Sequence, residues 1–139
     1  MNLSLNEKLE LADDHNTAPE VLRELSGDTS TNIRCLVASN RNTPVDVFTV
    51  LVDDNDLVRY HIARNPCAPK EVLSKLAENK DIIVRRVVSS NKNTSLDSLM
   101  RLANDSDIFV VCLAERNPNA TEDVIMLAKA TSFILSFKT

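Results

Sequence analysis

Glycine occurs once in this chain and tryptophan not at all. The lone Gly27 cannot build a glycine-rich phosphate loop, and the many tight hairpins of a small β-sheet are excluded with it. Aromatic residues make up 4% of the chain, including a single tyrosine, so platforms for stacking bases are scarce. No apolar run approaches the roughly 20 residues that span a bilayer. Met1-Asn2-Leu3-Ser4 carries neither the basic region nor the apolar stretch of a signal peptide. Cys35, Cys67 and Cys112 are odd in number and form no CxxC pair. They read as reduced thiols of a cytoplasmic protein, not as a disulfide framework or a metal site. Alternation of apolar and polar residues is missing over any useful length, which argues against strands.

What is present is a repeat. An acid followed by two apolar positions and a third one turn later recurs at intervals of 26, 25, 26 and 26 residues. The copies begin at Glu20-Val21-Leu22, Asp46-Val47-Phe48, Glu71-Val72-Leu73, Asp97-Ser98-Leu99 and Asp123-Val124-Ile125. A second apolar signal lies between them, four residues apart, as Ile33/Val37, Val58/Ile62, Val84/Val88 and Val110/Ala114. Both spacings are helical. Each unit therefore reads as two short helices, too small to bury an apolar face alone and stabilised by stacking on the next unit. The expected first helices lie near 44–53, 69–78, 95–104 and 121–132. The chain divides into an N-terminal cap (1–16), repeats of 25–26 residues (17–120) and a C-terminal cap with an apolar tail (121–139), one domain in all. The short interval places a one-residue deletion in the turn around Asp53-Asp54-Asn55-Asp56, where a length change costs least.

Local chemistry accounts for several recurrent residues. Thr43-Pro44-Val45-Asp46 offers Thr43 as N-cap, a proline at the first helical position and an acid in the first turn, and Thr94-Ser95-Leu96-Asp97 repeats the pattern. Acids there oppose the helix dipole and need no catalytic role. Asn40, Asn65, Asn91 and Asn117 open the connections after the second helices. They are expected to end helices in the left-handed conformation and to stack as a structural ladder of amides.

At Asn65-Pro66-Cys67-Ala68-Pro69-Lys70-Glu71-Val72-Leu73, followed by Leu76-Ala77 and Val84-Arg85, the chain resembles the leucine-rich repeat variant family over roughly residues 14–130. The wider class is that of HEAT and armadillo arrays. The resemblance implies an all-α, right-handed α-solenoid of about five two-helix repeats, the second helix being α or 3₁₀. It implies no cofactor here, because nothing in the sequence matches the cysteine-ligated cluster of the family's founding example.

Two sets of residues are candidates for function. Arg34, Arg59 and Arg85 recur one place after the second-helix anchor, with Lys8 in the cap and Val111 breaking the row. They read either as a basic row gripping nucleic-acid phosphates or, the favoured reading, as an internal ladder of ion pairs with Asp28 and Asp53 six residues before them. Tyr60, Arg64, Arg86 and Arg116, with Lys92, vary between units, and variable positions are where an array encodes its partner. His61 stands in an apolar column with Leu36, Val87 and Leu113 and reads as a structural histidine.

Charge bears on the partner. Residues 1–30 carry seven acids and two bases, whereas the remaining 109 carry 13 acids and 14 bases. An acidic head on a near-neutral body is unlike a dedicated nucleic-acid binder. The expected function is a non-enzymatic scaffold for a protein or peptide, an acidic one being an option, with no membrane partner. Nucleic-acid binding through Arg34, Arg59 and Arg85 is the alternative, and a small helical-repeat enzyme or lyase the third. The apolar tail, Ala130–Phe137, is expected as a lid over the last repeat or as a contact, including one with a second copy.

Overall fold

The computed structural model describes residues 3–138, and every regular element among them is an α-helix. Met1 and Asn2 of the N-terminal cap and Thr139 of the tail lie outside the described residues. In chain order the helices are α1 (Leu5–Asp13), α2 (Pro19–Leu25), α3 (Thr31–Ser39), α4 (Val45–Leu51) and α5 (Asp56–Arg64). They continue with α6 (Lys70–Leu76), α7 (Ile82–Ser90), α8 (Leu96–Leu102), α9 (Ile108–Glu115) and α10 (Glu122–Ser136). The even-numbered helices are the expected first helices, and the odd-numbered ones the second.

The odd helices form a row in which α1 packs on α3, α3 on α5, α5 on α7 and α7 on α9. The apolar pairs four apart are the reason, since they place two side chains on one helical stripe. Ile33, Val37, Val58, Ile62, Val84, Val88, Val110 and Ala114 have no exposed surface at all. Leu22, Phe48, Leu73 and Leu99 are sealed equally from the even helices. Each of these side chains larger than Ala114 contributes roughly 1.5–3 kcal/mol by leaving water. Helices of seven to nine residues persist because of this burial and would fray alone.

The deletion falls in a single step. Asp28, Asn79 and Asp105 each lie three residues before the next helix begins, whereas Asp54 lies two before α5. The missing residue is therefore the one after Asp54.

Helix starts differ from the expected caps. Pro44 and Pro69 occupy the N-cap itself, without a side-chain bond. Thr43 is buried and donates from Oγ1 to the Val37 carbonyl at 2.5 Å, and Thr94 does the same to Val88 at 2.6 Å. These threonines tie the connection to the preceding helix and do not cap the following one. Ser95 is the cap of α8.

The apolar tail is helical and continuous with α10, which packs on both α8 and α9. Thr131 is buried on that contact face, whereas Met126, Phe133, Ile134 and Phe137 are exposed on the other. The tail is thus a lid on one side and an open apolar surface on the other.

Candidate functional site

The asparagine column fixes the geometry from which the site is built. Asn65 Nδ2 donates to the carbonyls of Ala38 and Asn40, both at 2.9 Å. Asn91 does so to Ala63 and Asn65, and Asn117 to Ser89 and Asn91, at 2.7 and 3.0 Å in each case. Asn40 reaches Ala12 and Asp14 in the cap. Each Oδ1 accepts from the backbone N–H two residues on. One buried amide therefore satisfies three backbone groups and joins two units. The expectation of a left-handed backbone is corrected: Asn40, Asn65 and Asn91 are extended, with φ near −70°, and no positive φ occurs among the described residues. The side chain, not the backbone conformation, is what the position requires.

The arginine row is committed to internal pairs. Arg34 grips Asp54 from Nε and Nη2 at 2.6 and 3.1 Å, and Arg85 grips Asp105 at 2.7 and 3.1 Å. Their Nη1 groups donate to the Asp28 and Asn79 carbonyls in the turn between the two helices of their own unit. Lys8 completes the row by pairing with the Asp28 carboxylate at 2.8 Å. The expected partners are thereby corrected. The carboxylate comes from the next unit, at Asp54, while Asp53 lies outside the row and pairs with Lys75. Register explains the slip: counting six back from Arg59 across the deletion goes one residue too far, to Asp53 instead of Asp54. For Arg59 the equivalent position holds Asn79 instead of a carboxylate, and its guanidinium donates to the Val52 carbonyl and to Asp56. Pairing with Arg34 and the Asn55 amide hold the Asp54 carboxyl below the usual range against the opposing effect of burial.

The variable residues lie on another face of the same odd helices. Tyr60 and Arg64 of α5 and Arg86 of α7 line one groove of about 520 Å³, with Pro66, Val87, Ser90, Lys92 and Leu113. A neighbouring groove of about 280 Å³ is lined by His15, Ser39, Arg41, His61, Arg64 and Pro66. The reason for two grooves is legible in one column of the repeat, Ser39, Arg64, Ser90 and Arg116. Small serines flank Arg64 on both sides and leave space there. Arg116 is exposed at the end of α9 and lines neither groove.

The groups in these grooves are differently engaged. Arg64 lies over the Tyr60 ring, 5.7 Å from its centroid. Arg86 is held by Asp107 at 2.9 and 2.8 Å and stacks on Phe109 at 4.6 Å. Its charge is therefore matched before any partner arrives. Arg41, Arg64 and Lys92 form no ion pair among the described residues, and no carboxylate there lines either groove. His61 is half-buried, edge-on to Tyr60 at 5.5 Å, with Nδ1 2.8 Å from Ser39 Oγ. Burial, then the Arg64 charge, keeps its imidazole below the usual histidine range.

Sequence reasoning named Tyr60, Arg64, Arg86 and Lys92 but passed over His15, Ser39 and Arg41. Column alignment is the signal that finds them: His15, Arg41, Pro66 and Lys92 occupy one position of successive units. Among the described residues no helix is long and apolar enough to cross a membrane, and no three His, Cys, Asp or Glu are grouped as a metal site needs. Comparison with protein-family models, curated proteins and solved structures finds no match.

Proposed function

We propose that this protein is a non-enzymatic scaffold that holds an acidic peptide or helix in the groove between α5 and α7. The observation that carries this reading is the convergence of Tyr60, Arg64 and Lys92 in one groove without an opposing carboxylate among the described residues. A planar aromatic beside cations offers apolar contact and charge pairing at once. The row of stacked odd helices is the arrangement expected of an α-solenoid of HEAT-like or leucine-rich-repeat-variant repeats, in which such a face is presented in successive units. Arg86 serves this groove as a fixed wall, since Asp107 already holds it.

The nucleic-acid reading draws no support from Arg34 and Arg85, whose guanidiniums are occupied by Asp54 and Asp105. The Ser39–His61 contact fits a ring-fixing hydrogen bond better than a nucleophile pair, because no carboxylate lines that groove to orient the imidazole.

The chain itself supplies the assay. Tyr60 is its one tyrosine and tryptophan is absent, so emission excited near 280 nm reports this groove directly. Titration with an end-capped Asp/Glu hexapeptide should change Tyr60 emission saturably. Charge reversal at Arg64 and Lys92 together should weaken binding by about tenfold or more, as loss of a matched charged contact does. An unchanged affinity in that variant would remove the groove from the account.

A further inference from the structure

The smaller groove differs in kind from the larger one. Arg41 enters it from the connection after α3, Arg64 and His61 from α5, and His15 from the connection after α1. Three separate segments thus direct potential anion-binding groups at one small space. The His61 ring is fixed there by Ser39, whose hydroxyl meets Nδ1. If that hydroxyl donates to Nδ1, the neutral ring carries its proton on Nε2, as a donor. A planar carboxylate is satisfied by one guanidinium fork, whereas a tetrahedral dianion takes two forks and further donors.

We infer that this groove is a subsite for a phosphoryl group, held by Arg41, Arg64 and His61, on an acidic peptide whose chain continues past Tyr60 in the larger groove. The inference rests on the acidic-peptide reading, and the two grooves adjoin, with Arg64 and Pro66 lining both. A single phosphoryl group suits the place better than a nucleic-acid strand. A strand presents a train of phosphates, and on one side the row runs into α1, whose Glu10 and Asp13 are acidic.

Two measurements test this. In the first, the imidazole ¹H–¹³C signals of His15 and His61 are followed while inorganic phosphate replaces chloride at constant ionic strength. The His61 signal should shift saturably in the native protein and stay still in Arg41→Gln. In the second, Tyr60 emission compares two end-capped Asp/Glu hexapeptides, one with a central serine and one with phosphoserine. The phosphorylated peptide should bind at least about tenfold tighter, the gain expected of added charged hydrogen bonds. Arg41→Gln and His61→Leu should each reduce that gain to near nothing while the serine peptide binds as before. His61→Leu matches Leu36 and Leu113 of the same column, so the variant is expected to fold, and its unfolding transition checks this.

Equal affinity for the two peptides overturns the phosphoryl subsite and leaves the acidic-peptide groove standing. Binding of neither peptide overturns the groove reading instead. A single-stranded oligonucleotide of equal charge that displaces the phosphopeptide at physiological salt would also overturn the proposal, in favour of a nucleic-acid site.

Discussion

At the scale of single residues, the most informative position is the one that breaks its column. Asn79 stands where Asp28, Asp54 and Asp105 stand in other units, and Arg59 turns away from it. Asn79→Asp should give Arg59 a bidentate partner and stabilise the fold by about 1.5 kcal/mol, the low end for a charged hydrogen bond, read as a higher urea midpoint. By the same logic Arg34→Ala and Arg85→Ala, which lose bidentate pairs, should destabilise more than Arg59→Ala. A larger loss at Arg59 would contradict the ladder as described.

His61 is the other exception, polar among Leu36, Val87 and Leu113. Its folded-state pKa lies below the ordinary 6.5, so between those values the unfolded chain binds more protons. Stability from the neutral ring is therefore complete above about pH 6.5 and is lost as pH falls toward the folded value. Thermal unfolding in phosphate-free buffer should show native protein losing stability as the pH falls below about 6.5. His61→Leu should flatten that slope and hold its Tm at pH 5. An identical slope in both proteins would sink this assignment.

At the scale of elements, Asn65 joins α3 to α5 by saturating three backbone groups at once. Asn65→Ala orphans them in a buried connection, at about 1–3 kcal/mol for each group that water cannot reach. Asn42→Ala should cost much less, since that exposed side chain reaches only the Thr17 carbonyl. Paired denaturant curves of the two variants make the comparison, and equal losses would mean that the buried column adds nothing special.

This scale also shows what the sequence could tell. The helix positions followed from apolar spacing together with the missing alternation, because Val58 and Ile62 share a helical stripe and no stretch alternates apolar and polar residues as a half-buried strand would. The asparagine ladder followed in outline from its recurrence. Its donors did not, because the carbonyls that Asn65 meets lie 25 and 27 residues away and become neighbours only on stacking. The choice between Asp53 and Asp54 failed for a related reason. A deletion in a turn leaves two registers equally consistent with the spacing, and only the Arg34 pair decides between them. Thr43 misled because a hydroxyl beside proline suits a cap in isolation, yet the Val37 carbonyl lies nearer. The grooves were partly legible, since Tyr60 and Arg64 stand out as variable. The role of Ser90 was hidden, because it consists in being small, and that of Ser39 because its hydroxyl meets His61, 22 residues away, only on stacking.

At the scale of the whole molecule, two faces of one row of helices have been put to different uses. One is closed by Lys8, Arg34 and Arg85 with carboxylates of adjoining units and holds the stack together. The other leaves Arg41, Arg64 and Lys92 unpaired among the described residues and carries the grooves. The central claim is that binding belongs to the second face. The most direct measurement is a backbone amide map by two-dimensional ¹H–¹⁵N spectra during titration with the Asp/Glu hexapeptide. Shifts concentrated from Tyr60 to Pro66 and from Arg86 to Lys92, with Arg34, Arg59 and Arg85 unmoved, are the result this account predicts. Shifts centred on the Arg34–Arg59–Arg85 row, or on the exposed face of α10, would contradict it.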